Sequence, residues 1–170
     1  ATGRYLATER DEAEDLSFPP WADQWAAYGF AELGAAQVGD EETEYLRSLA
    51  ARFGFLVRVE SRREDGSLSR LLQGRRARAA GLGTWVEGLG SLWVLSGELE
   101  SLADLRPDIQ ARAICAAGML ADRQVKVRGD GPGTGLLDGA WFTNDATRMD
   151  DQQHALSGML LTERILRSEE

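Results

Sequence analysis

The stretch Leu82-Gly-Thr-Trp-Val-Glu-Gly-Leu-Gly90 decides the fold, because the chain repeats it twice in altered form. The other two copies are Trp21-Ala-Asp-Gln-Trp-Ala-Ala-Tyr-Gly29 and Met149-Asp-Asp-Gln-Gln-His-Ala-Leu-Ser157. An ungapped alignment puts Asp23, Thr84 and Asp151 in one column, and Ala27, Gly88 and Ala155 in another. Repetition at a spacing of roughly sixty residues is typical of stacked helical hairpins, so the sequence predicts a mainly α fold.

The three copies lie in segments that are apolar on more than one face, at about residues 20–36, 80–96 and 149–167. Such segments predict buried inner helices. The intervening segments, about 40–53 and 107–124, each carry one apolar stripe, which predicts outer helices with one solvated face. Residues 1–10 are similar to the last turns of these outer helices. This alternation predicts antiparallel hairpins, with the inner helices all beginning at one end of the molecule.

One segment departs from the helical pattern and predicts a small β-hairpin at residues 55–72. Phe55-Leu-Val-Arg-Val-Glu60 is rich in strand-forming residues, and Asp65-Gly66 is a turn signal before the next apolar run. Gly54 would then end the preceding helix.

Composition excludes several classes of function. The formal net charge of −9 argues against nucleic-acid binding, and no apolar run reaches the length of a membrane span. One cysteine, Cys115, permits no internal disulfide, and one histidine with one cysteine makes a zinc site improbable. We therefore predict no metal and no cofactor. The dense basic patch at residues 75–78 is typical of a solvated loop or of ion pairs.

Taken together, the residues 21–29, 82–90, Gly139-Ala-Trp-Phe142 and 149–157 resemble the α/α-toroid architecture. Six-hairpin glycosidases, uronic-acid epimerases, polysaccharide lyases and terpenoid cyclases share this plan. The chain supplies fewer hairpins than a closed toroid needs. The resemblance thus implies that residues 1–170 form a single helical domain, the C-terminal portion of a longer toroid protein, or a domain that covers its open apolar edges by forming a homo-oligomer.

In toroid enzymes the cleft lies where the inner helices begin, and the resemblance places the candidate site there. The candidate catalytic residues are Asp23, Glu87, Asp151 and His154. If the reaction is hydrolytic, Glu87 would be the general acid and Asp151 the base; a lyase or epimerase would use His154. The candidate substrate-binding residues are Trp21, Gln24, Trp85, Trp141, Asp150 and Gln152.

Each candidate also has a structural interpretation. Thr147 and Asp150 resemble a capping box, and Asp23 and Asp151 stand where a carboxylate stabilises a helix start. Glu87 lies in a nearly apolar helix and needs a partner there. His154 shares its alignment column with Glu87 and is also compatible with a satisfied core histidine.

Two functions remain open from the sequence. The first is a carbohydrate-active toroid domain, either a glycoside hydrolase or a lyase or epimerase, with its cleft at the N-terminal ends of the inner helices. The second is a non-catalytic helical repeat domain that mediates assembly or partner binding.

Overall fold

The computed structural model describes residues 2–9, 23–64, 77–129, 131 and 134–168. Within these ranges the chain forms α-helices and no β-strand, so the predicted mainly α fold is confirmed. The helices are α1 (Thr2–Thr8), α2 (Gln24–Leu33), α3 (Asp40–Glu64), α4 (Ala79–Glu98), α5 (Glu100–Ala103), α6 (Arg106–Asp122), α7 (Thr134–Leu137) and α8 (Met149–Arg167). A short 3-10 turn, Ala35–Gln37, joins α2 to α3.

The predicted β-hairpin at residues 55–72 is wrong over its first half. Residues 55–64 continue α3, which runs for 25 residues from Asp40 to Glu64, and residues 65–72 lie outside the described ranges. The buried stripe of α3 passes through this segment by way of Phe53, Val57 and Glu60. Packing of this stripe overrides the local preference of Phe55-Leu-Val-Arg-Val for a strand. Gly54 is therefore an interior helical residue and does not cap the helix.

Successive long helices run in opposite directions. At the starts of the two helices, Arg47 of α3 pairs with Asp104, which precedes α6. At their ends, Glu64 of α3 pairs with Arg123, which follows α6. Helices α3 and α6 are therefore parallel. Along α4 and α8, Gly83 lies against His154 and Gly90 lies against Leu161, so these two are also parallel. The α4–α6 pair is joined by residues 99–105 and forms a hairpin. The helical-hairpin packing predicted from the repeat is confirmed.

Helix α4 is the centre of the molecule, and it contacts α2, α3, α6 and α8. Twelve of its twenty residues are buried, in agreement with the prediction of an inner helix. Glycines permit this close packing. A Cβ atom added at Gly83 would overlap the backbone of His154, and one added at Gly88 would overlap the ring of Phe53.

Helix α8 is less enclosed than its apolar sequence suggests. It buries the face that carries Asp151, Ala155, Gly158, Thr162 and Ile165 against the rest of the molecule. The opposite face leaves large apolar side chains exposed: Met149, Leu156 and Leu160. The predicted burial of this third repeat is thus correct for one face only.

The capping box expected at Thr147 and Asp150 does not form. Arg148 occupies the N-cap position of α8 without a side-chain cap, and the Thr147 hydroxyl accepts a hydrogen bond from Gln152 Nε2 at 2.5 Å. Asp150 is about half exposed, and its Oδ1 lies 3.6 Å from the Arg78 guanidinium.

Candidate functional site

A buried ion pair joins the N-terminal ends of α4 and α8. Arg78 Nη2 donates to Asp151 Oδ2 at 2.5 Å, and the backbone N–H of Ala80 donates to Asp151 Oδ1 at 3.1 Å. Asp151 is 1% exposed, and burial of a carboxylate without hydrogen-bond partners would be costly. It caps α4 from the neighbouring helix, and each of its oxygens already accepts a hydrogen bond.

A cleft with a volume of about 580 Å³ opens beside Arg78, at the start of α4. It lies between the last residues of α3 and α6 and the first residues of α4, and the loop after α7 closes one side. Its lining consists of Glu64, Ala77, Arg78, Ala79, Asp122, Arg123, Trp141, Phe142, Thr143 and Asn144. The volume falls in the range of about 300–1,000 Å³ that small-molecule sites occupy.

The floor of the cleft is held by a second cluster of buried charges around Arg123. Its Nε donates to Glu64 Oε1 at 2.6 Å, its Nη1 to the Ala77 carbonyl at 2.7 Å and its Nη2 to Glu60 Oε1 at 2.5 Å. Glu60 is fully buried and also accepts hydrogen bonds from the Ala77 N–H and from Arg63. Arg123 therefore ties α3 and α6 to the segment that begins α4.

Arg78 is the more accessible of the two arginines, with a third of its side chain exposed. The hydrogen bond with Asp151 raises the pKa of Arg78 above its usual value, and the negative charge of Asp150 adds to this effect. Its Nε and Nη1 donate no hydrogen bond to any residue that the structure describes. The bond with Asp151 thus fixes the orientation of the guanidinium.

Trp141 and Gln152, both predicted to bind substrate, mainly hold the cleft wall in place. Trp141 is 4% exposed, and its indole N–H donates to the Leu120 carbonyl at 2.8 Å. The Gln152 amide accepts from Trp141 N at 3.2 Å and donates to Trp141 O at 2.7 Å. Phe142, which follows, is 36% exposed and is the accessible aromatic ring of the cleft.

The first repeat contributes little to this cleft. Asp23 is the N-cap of α2, where its Oδ1 accepts from the N–H groups of Trp25 and Ala26 at 2.9 and 3.2 Å. Gln24 begins α2 and is partly exposed, whereas Trp21 lies outside the described residues. The structural interpretation of Asp23 as a capping residue agrees with this geometry.

Glu87 and His154 meet away from the cleft. Glu87 Oε2 lies 2.9 Å from His154 Nδ1, and their side chains are 4% and 17% exposed. Glu87 follows the start of α4 by eight residues, which corresponds to about 12 Å along the helix. The two residues that share an alignment column are therefore hydrogen-bonded partners, as a buried acid in an apolar helix requires. Trp85, two residues earlier, is partly buried against the core.

Tyr28 of α2 lies beside this pair. Burial raises the pKa of Tyr28 above its ordinary value of 10.0, a hydrogen bond with Ser157 lowers it, and the negative charge of Glu87 raises it further. The cluster of Tyr28, Glu87, His154 and Ser157 thus connects all three repeats through side chains.

The sequence pattern does not predict several residues of the cleft and of the ion pairs beneath it. Glu60 and Glu64 lie in the predicted β-hairpin, and Asp122 and Arg123 lie at the end of a predicted outer helix. The spacing of Phe53, Val57 and Glu60 was the available signal, because it continues the buried stripe of α3. Arg78 belongs to the basic patch at residues 75–78, for which the sequence predicts either a solvated loop or ion pairs. Arg78 does form an ion pair, with Asp151.

Comparisons with known proteins give no match to any protein family, curated protein or solved structure. Among the described residues, no helix is long and apolar enough to cross a membrane, and no group of acidic, histidine and cysteine side chains is placed to hold a metal ion.

Proposed function

We propose that this chain is a carbohydrate-recognising domain of the α/α-toroid type, with its ligand in the cleft beside Arg78. The observation that carries the proposal is the position of the cleft at the start of α4, where Arg78 bonds to Asp151 at the start of α8. Toroid enzymes, which the repeats resemble, hold their substrates at the corresponding end of the inner helices.

The chemistry of the lining supports a sugar ligand. Arg78, Thr143 and Asn144 offer donors and acceptors for hydroxyl groups, and the exposed ring of Phe142 offers a flat face for a sugar ring. Because Arg123 and Glu64 are bonded to each other, the cleft keeps few unpaired charges, as a polar but neutral ligand requires.

A reaction at this site would use different carboxylates from those that the sequence suggests. Asp151 is committed to Arg78 and Ala80, and Glu87 lies deep on α4 beside His154. Asp122 lines the cleft, is exposed and forms no hydrogen bond with a described side chain, so it is the carboxylate that we assign to acid–base chemistry if the domain is catalytic.

Glycan-array binding of the wild-type chain, followed by titration of the best ligand, tests the proposal. Phe142→Ala should weaken binding roughly five- to ten-fold, because the ring no longer packs on the sugar. Phe55→Ala, at an exposed phenylalanine of α3 outside the cleft, is the matched control and should bind like the wild type. An array without any binding by the folded chain would contradict the proposal. If ligand is turned over, Asp122→Asn should abolish turnover and retain binding.

The second candidate function is assembly, and the exposed face of α8 favours it. Met149, Leu156 and Leu160 are 80%, 54% and 52% exposed, although they lie on one helix face. An apolar face of this kind marks an interaction surface.

A further inference from the structure

The outward face of α8 is a continuous stripe of residues spaced by three, four or seven positions. We call the α8 stripe the residues Met149, Gln153, Leu156, Leu160 and Arg164. Because these spacings return to one side of a helix, the five side chains lie along a single line. All five are exposed, so no described part of the chain covers them.

Next to the α8 stripe, a groove of about 340 Å³ separates α8 from α2. Tyr28 forms its far wall, and Leu156, Leu160 and Leu161 form its near wall. Trp25, which is 67% exposed, extends the apolar surface on the α2 side, with its ring centroid 5.9 Å from that of Tyr28. The stripe and groove together can receive one further helix.

The charges of α8 select the direction of that helix. Of the two acids in the first turn, Asp151 is buried against Arg78 and Asp150 is exposed, and the last turn carries Arg164 and Arg167. Arg167 pairs with Glu163, but Arg164 forms no ion pair with any described residue. Asp150 is half exposed at the opposite end. A second α8 in the antiparallel direction would therefore bring opposite charges together at both ends, and their helix dipoles would also oppose.

We propose that a second copy of this chain covers the α8 stripe, with the two α8 helices packed antiparallel about a two-fold axis. Leu156 then contacts Leu160 of the partner subunit, and the symmetry repeats this contact. The proposal rests on the assembly candidate above and names its partner. Each copy places its α8 against the groove of the other.

The size of the surface sets the expected affinity. A helix of 19 residues is about 28 Å long. The area that one face of it buries is smaller than the roughly 800 Å² per partner of a standard interface. We therefore expect a reversible dimer with a micromolar dissociation constant.

Sedimentation velocity of the full chain, from low micromolar to near-millimolar concentration, measures this equilibrium. Leu156→Asp and Leu160→Asp should each raise the dissociation constant at least about 30-fold, as loss of a central interface contact does. Phe55→Asp is the control, because Phe55 is 53% exposed on α3, away from the stripe, and its dimerisation should equal that of the wild type. Circular dichroism confirms that each variant is folded.

Cross-linking tests the direction of packing. In a Cys115→Ala background, Leu156→Cys chains mixed with Leu160→Cys chains should form disulfide-linked heterodimers in excess of either homodimer. A parallel arrangement would give homodimers in excess and would overturn the antiparallel geometry.

A wild-type chain that stays monomeric at near-millimolar concentration would contradict the proposal, as would a dimer unchanged by both aspartate variants. The monomeric Leu160→Asp variant also separates this proposal from the carbohydrate proposal. Its glycan binding should match that of the wild type, because the cleft lies at the start of α4 and shares no lining residue with the groove.

Discussion

Buried carboxylates hold the helix ends together around the cleft. Glu60 and Asp151 are 0% and 1% exposed, and each is bonded to an arginine and to a backbone N–H. A buried charge without such partners would cost several kcal/mol, so these hydrogen bonds stabilise the fold.

Removal of Arg123 should strongly destabilise the fold. Arg123→Met keeps the packing volume but leaves Glu60 with fewer partners, and we expect a loss of about 3 kcal/mol in the free energy of unfolding. Urea denaturation followed by circular dichroism measures it. Arg167→Met, at an exposed pair with Glu163, is the control and should change stability by less than about 0.5 kcal/mol. Equal effects of the two variants would contradict the assigned network.

Tyr28 should make stability fall at high pH. Its folded-state pKa is raised above 10.0, so its contribution is fully present below that pH and is lost as the pH rises through the folded pKa. The free energy of unfolding should therefore drop more between about pH 8 and about pH 11 in the wild type than in Tyr28→Phe.

Ultraviolet absorbance of the phenolate form gives an independent measurement of the titration of Tyr28. The absorbance difference between the wild type and Tyr28→Phe reports Tyr28 and should titrate above pH 10.0. The absorbance difference between the wild type and the control Tyr5→Phe, at an exposed tyrosine, is the reference. A Tyr28 difference that titrates at or below the Tyr5 reference would show that Tyr28 is not buried beside Glu87.

Close contact between α4 and α8 depends on glycine at one position in particular. A Cβ atom at Gly83 would overlap the backbone of His154, and neither helix backbone can move locally to make room. The close parallel packing of α4 and α8 therefore depends on the absence of a side chain at this point.

Gly83→Ala should destabilise the chain by about 2 kcal/mol, because the clash exceeds the helix-propensity gain of roughly 1 kcal/mol. Gly118→Ala on α6 is the matched control, since a Cβ atom there meets nothing within 4 Å. It should stabilise the chain by about 0.5–1 kcal/mol. Thermal unfolding compares the two; stabilisation by both substitutions would exclude the close approach of α4 and α8.

The second half of α3 should behave as a helix in solution. Backbone carbon chemical shifts for residues 55–64 should be helical, and amides of its buried side, such as Val57, should exchange slowly. Extended-chain shifts over Phe55-Leu-Val-Arg-Val would restore the β-hairpin and contradict the long α3.

Across the whole molecule, the repeat was enough to predict the helical class and the common direction of α4 and α8. The three residues of one alignment column, Ala27, Gly88 and Ala155, are buried, as expected for contact positions between helices. The end of α3 was not predictable from local preference, because the burial of Val57 and Glu60 arises from contacts with distant residues.

Among the described residues that the sequence proposes for the site, Trp141 alone lines the cleft. Asp151 does not line it but bonds to Arg78, which does. Arg123, Asp122 and Glu64 come from the ends of the outer helices, and the repeat carries no information about which of these ends meet. Glu87 and His154 pair with each other at a different depth from the cleft, a contact that their shared alignment column does not predict.

Amide chemical-shift mapping of the isotope-labelled chain during titration with oligosaccharides tests the central claim most directly. A ligand in the cleft should shift amides of residues 77–79, 122–123 and 141–144 together, and should leave those of the control segment around Phe55 unchanged. Shifts confined to other surfaces, or none from any neutral, acidic or amino sugar tested, would contradict a carbohydrate site at the helix starts.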